Sequence, residues 1–205
     1  MNYHLKTNFK RILADTITPV SVYLKIRDRF PNSILLESSD YHANDNSFSY
    51  ICCNPIASIK IENETVLEQY PDGKSVQTEI DNTTDVVEII HDFSQRFETE
   101  NNNFKFINNG LFGYMAYDAV RYYESIDLTK KAKSIAIPDI YYAVYQNIIA
   151  INHFKNEAYI FAHCFEKDEN TAEIEQILNI RNFASYNFTT EGEAVSNLKD
   201  EEYKE

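Results

Sequence analysis

Apolar residues recur along this chain in two rhythms, one helical and one alternating, and the breaks between them divide it into short elements. After Thr18 and Pro19, the residues Val20, Tyr23 and Leu24, with Ile26 and Phe30, fall on one helical stripe. Thr18 can cap the free amides, and Pro19 suits the first helical position, where its missing N–H is no loss. Pro31 and Asn32 stop that helix. Residues 33–38 then read as a short buried strand that turns polar at Glu37, Ser38, Ser39 and Asp40 and runs into a polar loop through Asn46.

Residues 48–53 and 57–61 carry two further strands, broken by Asn54-Pro55. Strands at 64–69 and 75–80 flank Pro71-Asp72-Gly73-Lys74, a hairpin turn. Residues 84–97 form a second helix, capped by Thr84, with Val86, Val87, Ile90, Phe93 and Phe97 on its apolar side. The Tyr, Val and Ile run at 140–154 turns at Lys155-Asn156-Glu157 into a partner strand at 158–165. A third helix spans 171–183, with Ile174, Ile177, Leu178 and Ile180 inward. Residues 185–197 lose all periodicity and read as a linker, after which Ser196 can cap a helix begun by LKDEEYKE. That helix has made barely a turn at Glu205, so the expectation is a chain cut within a larger protein.

Hairpins mixed with helices, without strict strand-helix alternation, predict an α+β fold with a mostly antiparallel sheet and flanking helices. Fifteen Tyr and thirteen Phe supply a sizeable core. A net charge of −13 repels phosphate backbones, so nucleic acid is not an expected partner. Residues 1–10 are polar and lack the apolar core of a signal peptide, and no apolar run reaches membrane-spanning length. A cytoplasmic protein without a membrane partner is expected. Cys52 and Cys53 are neighbours on a strand and so point to opposite faces; they and Cys164 read as buried, reduced thiols.

The four glycines build no phosphate cradle, and the five histidines stand at no metal-binding spacing. No nucleophile elbow occurs, and no acid-base pair stands out. Two constellations remain. In the first, Leu35-Leu36-Glu37-Ser38 follows Thr18-Pro19-Val20. A carboxylate and a hydroxyl at the end of an apolar strand can hold an ammonium group while Leu and Pro pack an apolar side chain. The same residues also suit a strand that merely runs out into an acidic surface turn. The second is the segment 110–124, where Gly110 and Gly113 permit close backbone approach. Tyr117, Val120 and Arg121 follow at helical spacing, with Arg121 able to pair with Asp118 or Glu124.

Taken together, T-P-V at 18–20, L-L-E-S at 35–38, G-x-x-G-Y-x-x-Y-D-x-x-R-x-x-E at 110–124, P-D at 138–139 and the final S-N-L-K-D-E-E-Y-K-E resemble the N-terminal half of anthranilate synthase component I. The resemblance implies the N-terminal part of a two-domain fold. It divides the chain into a tryptophan-binding regulatory domain at 1–184, a linker at 185–197 and the start of a chorismate-binding catalytic domain at 198–205. It implies Pro19, Leu36, Glu37 and Ser38 as L-tryptophan contacts and places no catalytic or metal-binding residue in this chain. The full-length parent would convert chorismate and ammonia to anthranilate and pyruvate under feedback inhibition by tryptophan. Its magnesium and its remaining ligand contacts would lie in its own C-terminal catalytic domain, and ammonia would come from a glutamine amidotransferase subunit, component II. Two alternatives stay open: the matching domain of aminodeoxychorismate synthase component I, and a freestanding amino-acid-binding or interaction module.

Overall fold

The protein is described by a computed structural model that covers residues 2–37, 47–100, 103–124, 137–166, 171–180, 189 and 191–192. Among the described residues nine strands form one sheet. They are β1 (Tyr3–Leu13), β2 (Ile34–Leu36), β3 (Phe48–Glu62), β4 (Thr65–Gln69), β5 (Ser75–Glu79), β6 (Phe97–Thr99), β7 (Phe112–Met115), β8 (Ile140–Asn152) and β9 (Glu157–Cys164). The order across the sheet is β5-β4-β3-β8-β9-β1-β6, with β2 added beside β3 and β7 beside β8. Every pairing is antiparallel except β1 with β6. The expected α+β class with a mostly antiparallel sheet is what forms.

Among the described residues three α-helices, α1 (Pro19–Arg27), α2 (Val86–Gln95) and α3 (Ala172–Asn179), flank the sheet. The start of α1 follows the sequence reading. Thr18 Oγ1 accepts from the Ser21 amide at 3.2 Å, and Pro19 occupies the first turn. For α2 the cap is Asp85, not Thr84: Asp85 Oδ1 accepts from the Glu88 amide at 3.0 Å. Thr84 is drawn away because its hydroxyl donates to Asp81 Oδ1 at 2.9 Å. Val87, expected inside, is exposed, while Val86 and Phe93 are buried. The expected helix at 171–183 is described only as far as Ile180. The boundary after residue 184, the linker and the final helix lie outside the described residues, apart from 189, 191 and 192.

Two departures in the sheet have clear physical causes. The strands expected at 48–53 and 57–61 are one strand, β3, whose register against β8 shifts between Pro55 and Ala57. Asn54 takes φ 56°, and a bulge absorbs the proline that cannot donate to a regular ladder. The polar N-terminus is β1, the strand between β9 and β6. Its Tyr3 and Leu5 are buried, but most of its other side chains are not.

Helices α1 and α3 cover one sheet face, around Ile51, Cys53, Ile149 and Ile160. On the opposite face Phe104, Phe106 and Phe112 pack against Phe48, Cys52 and Phe161. Cys52 and Cys53 therefore serve two different cores, and all three cysteines are buried and free. A third core forms where α2 meets Ile59, Ile61, Val66 and Ile140. Among the described residues no helix is long and apolar enough to cross a membrane.

His163 on β9 ties β1 to the segment before β7. Its Nε2 lies 2.8 Å from the Asn108 carbonyl oxygen and its Nδ1 2.9 Å from Thr7 Oγ1. A carbonyl only accepts, so Nε2 carries the proton and Nδ1 takes a bond from the Thr7 hydroxyl. Burial holds this imidazole below its ordinary pKa. A depressed folded-state value contributes stability that is complete above the unfolded pKa of about 6.5 and is lost as pH falls through the folded value. Denaturant midpoints are therefore expected to fall as pH drops below about 6.5. In His163→Gln that step should flatten; an equal step in the variant would assign it to another group.

Candidate functional site

The face of the sheet bearing Tyr141 is only partly covered, and its open end forms a cavity. Strand register builds the wall. Lys60 on β3 stands directly opposite Tyr141 on β8, which stands opposite Tyr114 on β7. Residues directly opposite share a face, so the three side chains form one row across three strands. The Tyr114 and Tyr141 rings lie 6.4 Å apart at 35°. Lys60 Nζ stands 3.3 Å from Glu62 Oε2, two residues along the same face.

The opposite wall comes from β2. The turn that leads into it holds Asn32 at φ 61° and is fixed from beneath: the Tyr145 hydroxyl donates to the Asn32 carbonyl at 3.0 Å. Tyr145 is fully buried, and burial raises its hydroxyl pKa, so it remains a donor. The Ser33 hydroxyl donates to Phe30 O at 2.6 Å, closing the end of α1 against the same turn. Ile34, Leu35 and Leu36 line, with Gly113, Tyr114, Pro138 and Tyr141, a cavity of about 450 Å³.

Of the four residues implied as ligand contacts, Leu36 lines this cavity. Glu37 follows it and is exposed; Pro19 is half-buried in the first turn of α1. Neither is among the cavity-lining residues. Ser38 lies outside the described residues.

The segment 110–124 forms β7 and then a 3-10 helix at Tyr117–Tyr122, not an α-helix. The carboxylate that Arg121 meets is Asp139: Arg121 Nη2 lies 2.6 Å from its Oδ2. From Asp118 the arginine takes only the backbone carbonyl, at 3.2 Å. The Tyr122 hydroxyl donates to the same Asp139 oxygen at 2.9 Å. Burial first, and then the bond to Asp139, hold that hydroxyl above the ordinary phenol pKa. The Asp139 backbone joins the cluster to two strands. Its N–H donates to Ile61 O at 2.8 Å, and its carbonyl accepts from Ala116 N at 2.7 Å. Asp139 follows Pro138, so this ion pair fixes the corner that lines the cavity.

Lys60, Tyr141 and the partner of Arg121 escape a reading of the sequence. Lys60 and Tyr141 sit inside strands whose facing depends on the bulge at Pro55. Asp139 lies eighteen positions from Arg121. The visible signal was Pro138-Asp139 at the opening of β8, which marks a strand start but not its ionic partner.

Among the described residues no group of three His, Cys, Asp or Glu could hold a metal ion. The arrangement is an apolar, aromatic-walled cavity with one ionic rim. Cavities that take small molecules run to about 300–1,000 Å³ and have mostly apolar walls with a few polar groups.

The sequence profile of the chorismate binding enzyme family matches residues 32–205. The chain is similar to anthranilate synthase component 1 of Lactococcus lactis, with 32% identity over 154 residues, which is 74% of this chain and 31% of that protein. It is 27% identical over 165 residues to the component 1 of Thermus thermophilus, covering 80% of this chain and 34% of the relative. Aminodeoxychorismate synthase component 1 of Bacillus subtilis is 24% identical over 151 residues, 73% of this chain and 30% of that one. The chain thus spans about a third of the length of these curated relatives. Among solved structures, anthranilate synthase component I of Streptococcus pneumoniae aligns at a TM-score of 0.45 and 22% identity, over 84% of this chain and 35% of that one.

Proposed function

The chain belongs to the chorismate-binding enzyme family, and we propose that it is the amino-terminal, L-tryptophan-sensing unit of an anthranilate synthase component I. The observation that carries this reading is the shared cavity. Leu36 of the L-L-E-S strand lines it with Gly113 and Tyr114 of the G-x-x-G-Y segment and Pro138 of the P-D pair. Three motifs far apart in sequence thus line one space.

Tryptophan would bury its indole against Leu36 and the tyrosine rings, where apolar and aromatic contact is favourable. Pro19, Glu37 and Ser38 are the further proposed contacts. The parent enzyme would convert chorismate and ammonia to anthranilate and pyruvate, with catalysis in the two thirds of the relatives' length that this chain does not span. Its own catalytic domain and an amidotransferase subunit are the proposed partners. The cytoplasm is the proposed location. The magnesium implied by the family finds no fitting donor set among the described residues, and no role is assigned to it in this chain.

Inhibition requires that tryptophan bind an inactive arrangement more tightly than an active one. Couplings of this kind are worth about 1–3 kcal/mol, or roughly 5–150-fold in affinity. In the full-length enzyme, Glu37→Ala and Ser38→Ala are expected to raise the tryptophan concentration for half inhibition about tenfold. Uninhibited turnover should stay within about twofold, because neither residue meets chorismate in this account. Unchanged inhibition in both variants would sink the reading. The similarity to the Bacillus subtilis protein favours a second parent, an aminodeoxychorismate synthase. Identifying the product formed from chorismate separates the two.

A further inference from the structure

We propose that Lys60 is the residue that reads the carboxylate of the amino acid bound in this cavity, an inference that rests on the tryptophan-sensing function above. Among the described residues lining the cavity, Lys60 is the one that carries a charge. Its neighbours there, Ile34, Leu36, Pro138, Tyr114 and Tyr141, suit an apolar or aromatic group. A carboxylate carried into such surroundings loses its hydration and must find a cation. In a chain of net charge −13, no general positive field supplies one.

The placement of Lys60 fits the task. Register fixes it beside Tyr141, on the face that opens into the cavity. About a third of its side chain is exposed, so its ammonium can reach an arriving ligand. In the structure that ammonium stands 3.3 Å from Glu62 Oε2. A partly exposed pair of this kind is weak. The ligand carboxylate can therefore replace the Glu62 carboxylate as the partner of Lys60 at little cost. Glu62 keeps the lysine aimed along the rim when the cavity is empty.

The test compares two ligands that share the indole and the amine but differ in the carboxylate, L-tryptophan and tryptamine. Binding of each is measured calorimetrically to the full-length protein and to Lys60→Met and Lys60→Arg. The wild-type protein is expected to prefer tryptophan. Lys60→Met should weaken tryptophan about tenfold to a hundredfold, the range of a charge-assisted hydrogen bond, and leave tryptamine within about twofold. Lys60→Arg should retain most of the preference. Tryptophan bound by Lys60→Met as tightly as by wild type, or both ligands weakened equally, would overturn the role of Lys60 while tryptophan sensing stands. A wild-type protein that binds neither ligand would overturn both.

Discussion

Replacing Arg121 by alanine is expected to lower stability by about 3–5 kcal/mol, the range for breaking one side of a buried ion pair. The reason lies in what remains. Asp139 is 1% exposed, and without the guanidinium at 2.6 Å its carboxylate keeps its burial and loses that charge, while the Tyr122 hydroxyl still donates to it at 2.9 Å. Against a total of roughly 5–15 kcal/mol for a domain, that loss is severe. Arg121→Lys should recover part of it, since an ammonium restores charge but not the planar fork. The double variant Arg121→Ala, Asp139→Asn should cost less than the sum of the singles, because neutralising the carboxylate removes the charge that Arg121 offsets. Urea unfolding of the wild type, the three single variants and the double variant measures this. A loss below about 1 kcal/mol in Arg121→Ala would mean the pair behaves as a surface contact.

Gly113→Ala is expected to cost about 3 kcal/mol, at the top of the usual range for overpacking. A Cβ at Gly113 would stand 1.9 Å from the Tyr141 carbonyl oxygen and 2.8 Å from Tyr142 Cα. Both are backbone atoms of β8, so no side chain can turn aside. Relief requires β7 to lift from β8, which also moves Tyr114 off the cavity wall. Gly110 provides the comparison. It takes φ 123° but has nothing within 4 Å of its would-be Cβ. Gly110→Ala should therefore cost only backbone strain, about 1–3 kcal/mol. The variant at 113 should lose both melting temperature and ligand binding. Two variants with equal melting temperatures, both retaining binding, would contradict the close β7–β8 approach.

How far the sequence discloses this structure depends on how local each cause is. The cap of α1 needs only Thr18, Pro19 and Ser21, and it is legible. So is the β4–β5 hairpin, where Gly73 takes φ 82° and Asp72 accepts from the Lys74 amide at 3.1 Å. Strand β1 is hidden because its partners lie far away: Lys6 pairs with Cys164 and Tyr3 with Phe97. Pro55 reads as a break because nothing nearby shows that β8 continues past it. The candidate site divides in the same way. Leu36 and Gly113 belong to recognisable motifs, whereas Lys60 and Tyr141 reach the cavity only through a register set by the bulge. Arg121 suggests its neighbours Asp118 and Glu124, but the 3-10 turn aims it at Asp139.

The most direct test of the tryptophan-sensing account is a crystal structure of the full-length protein grown with L-tryptophan. The account predicts indole density between Leu36 and Tyr141, with the ligand carboxylate at Lys60. Tryptophan bound elsewhere, with this cavity empty or filled by protein side chains, would contradict it.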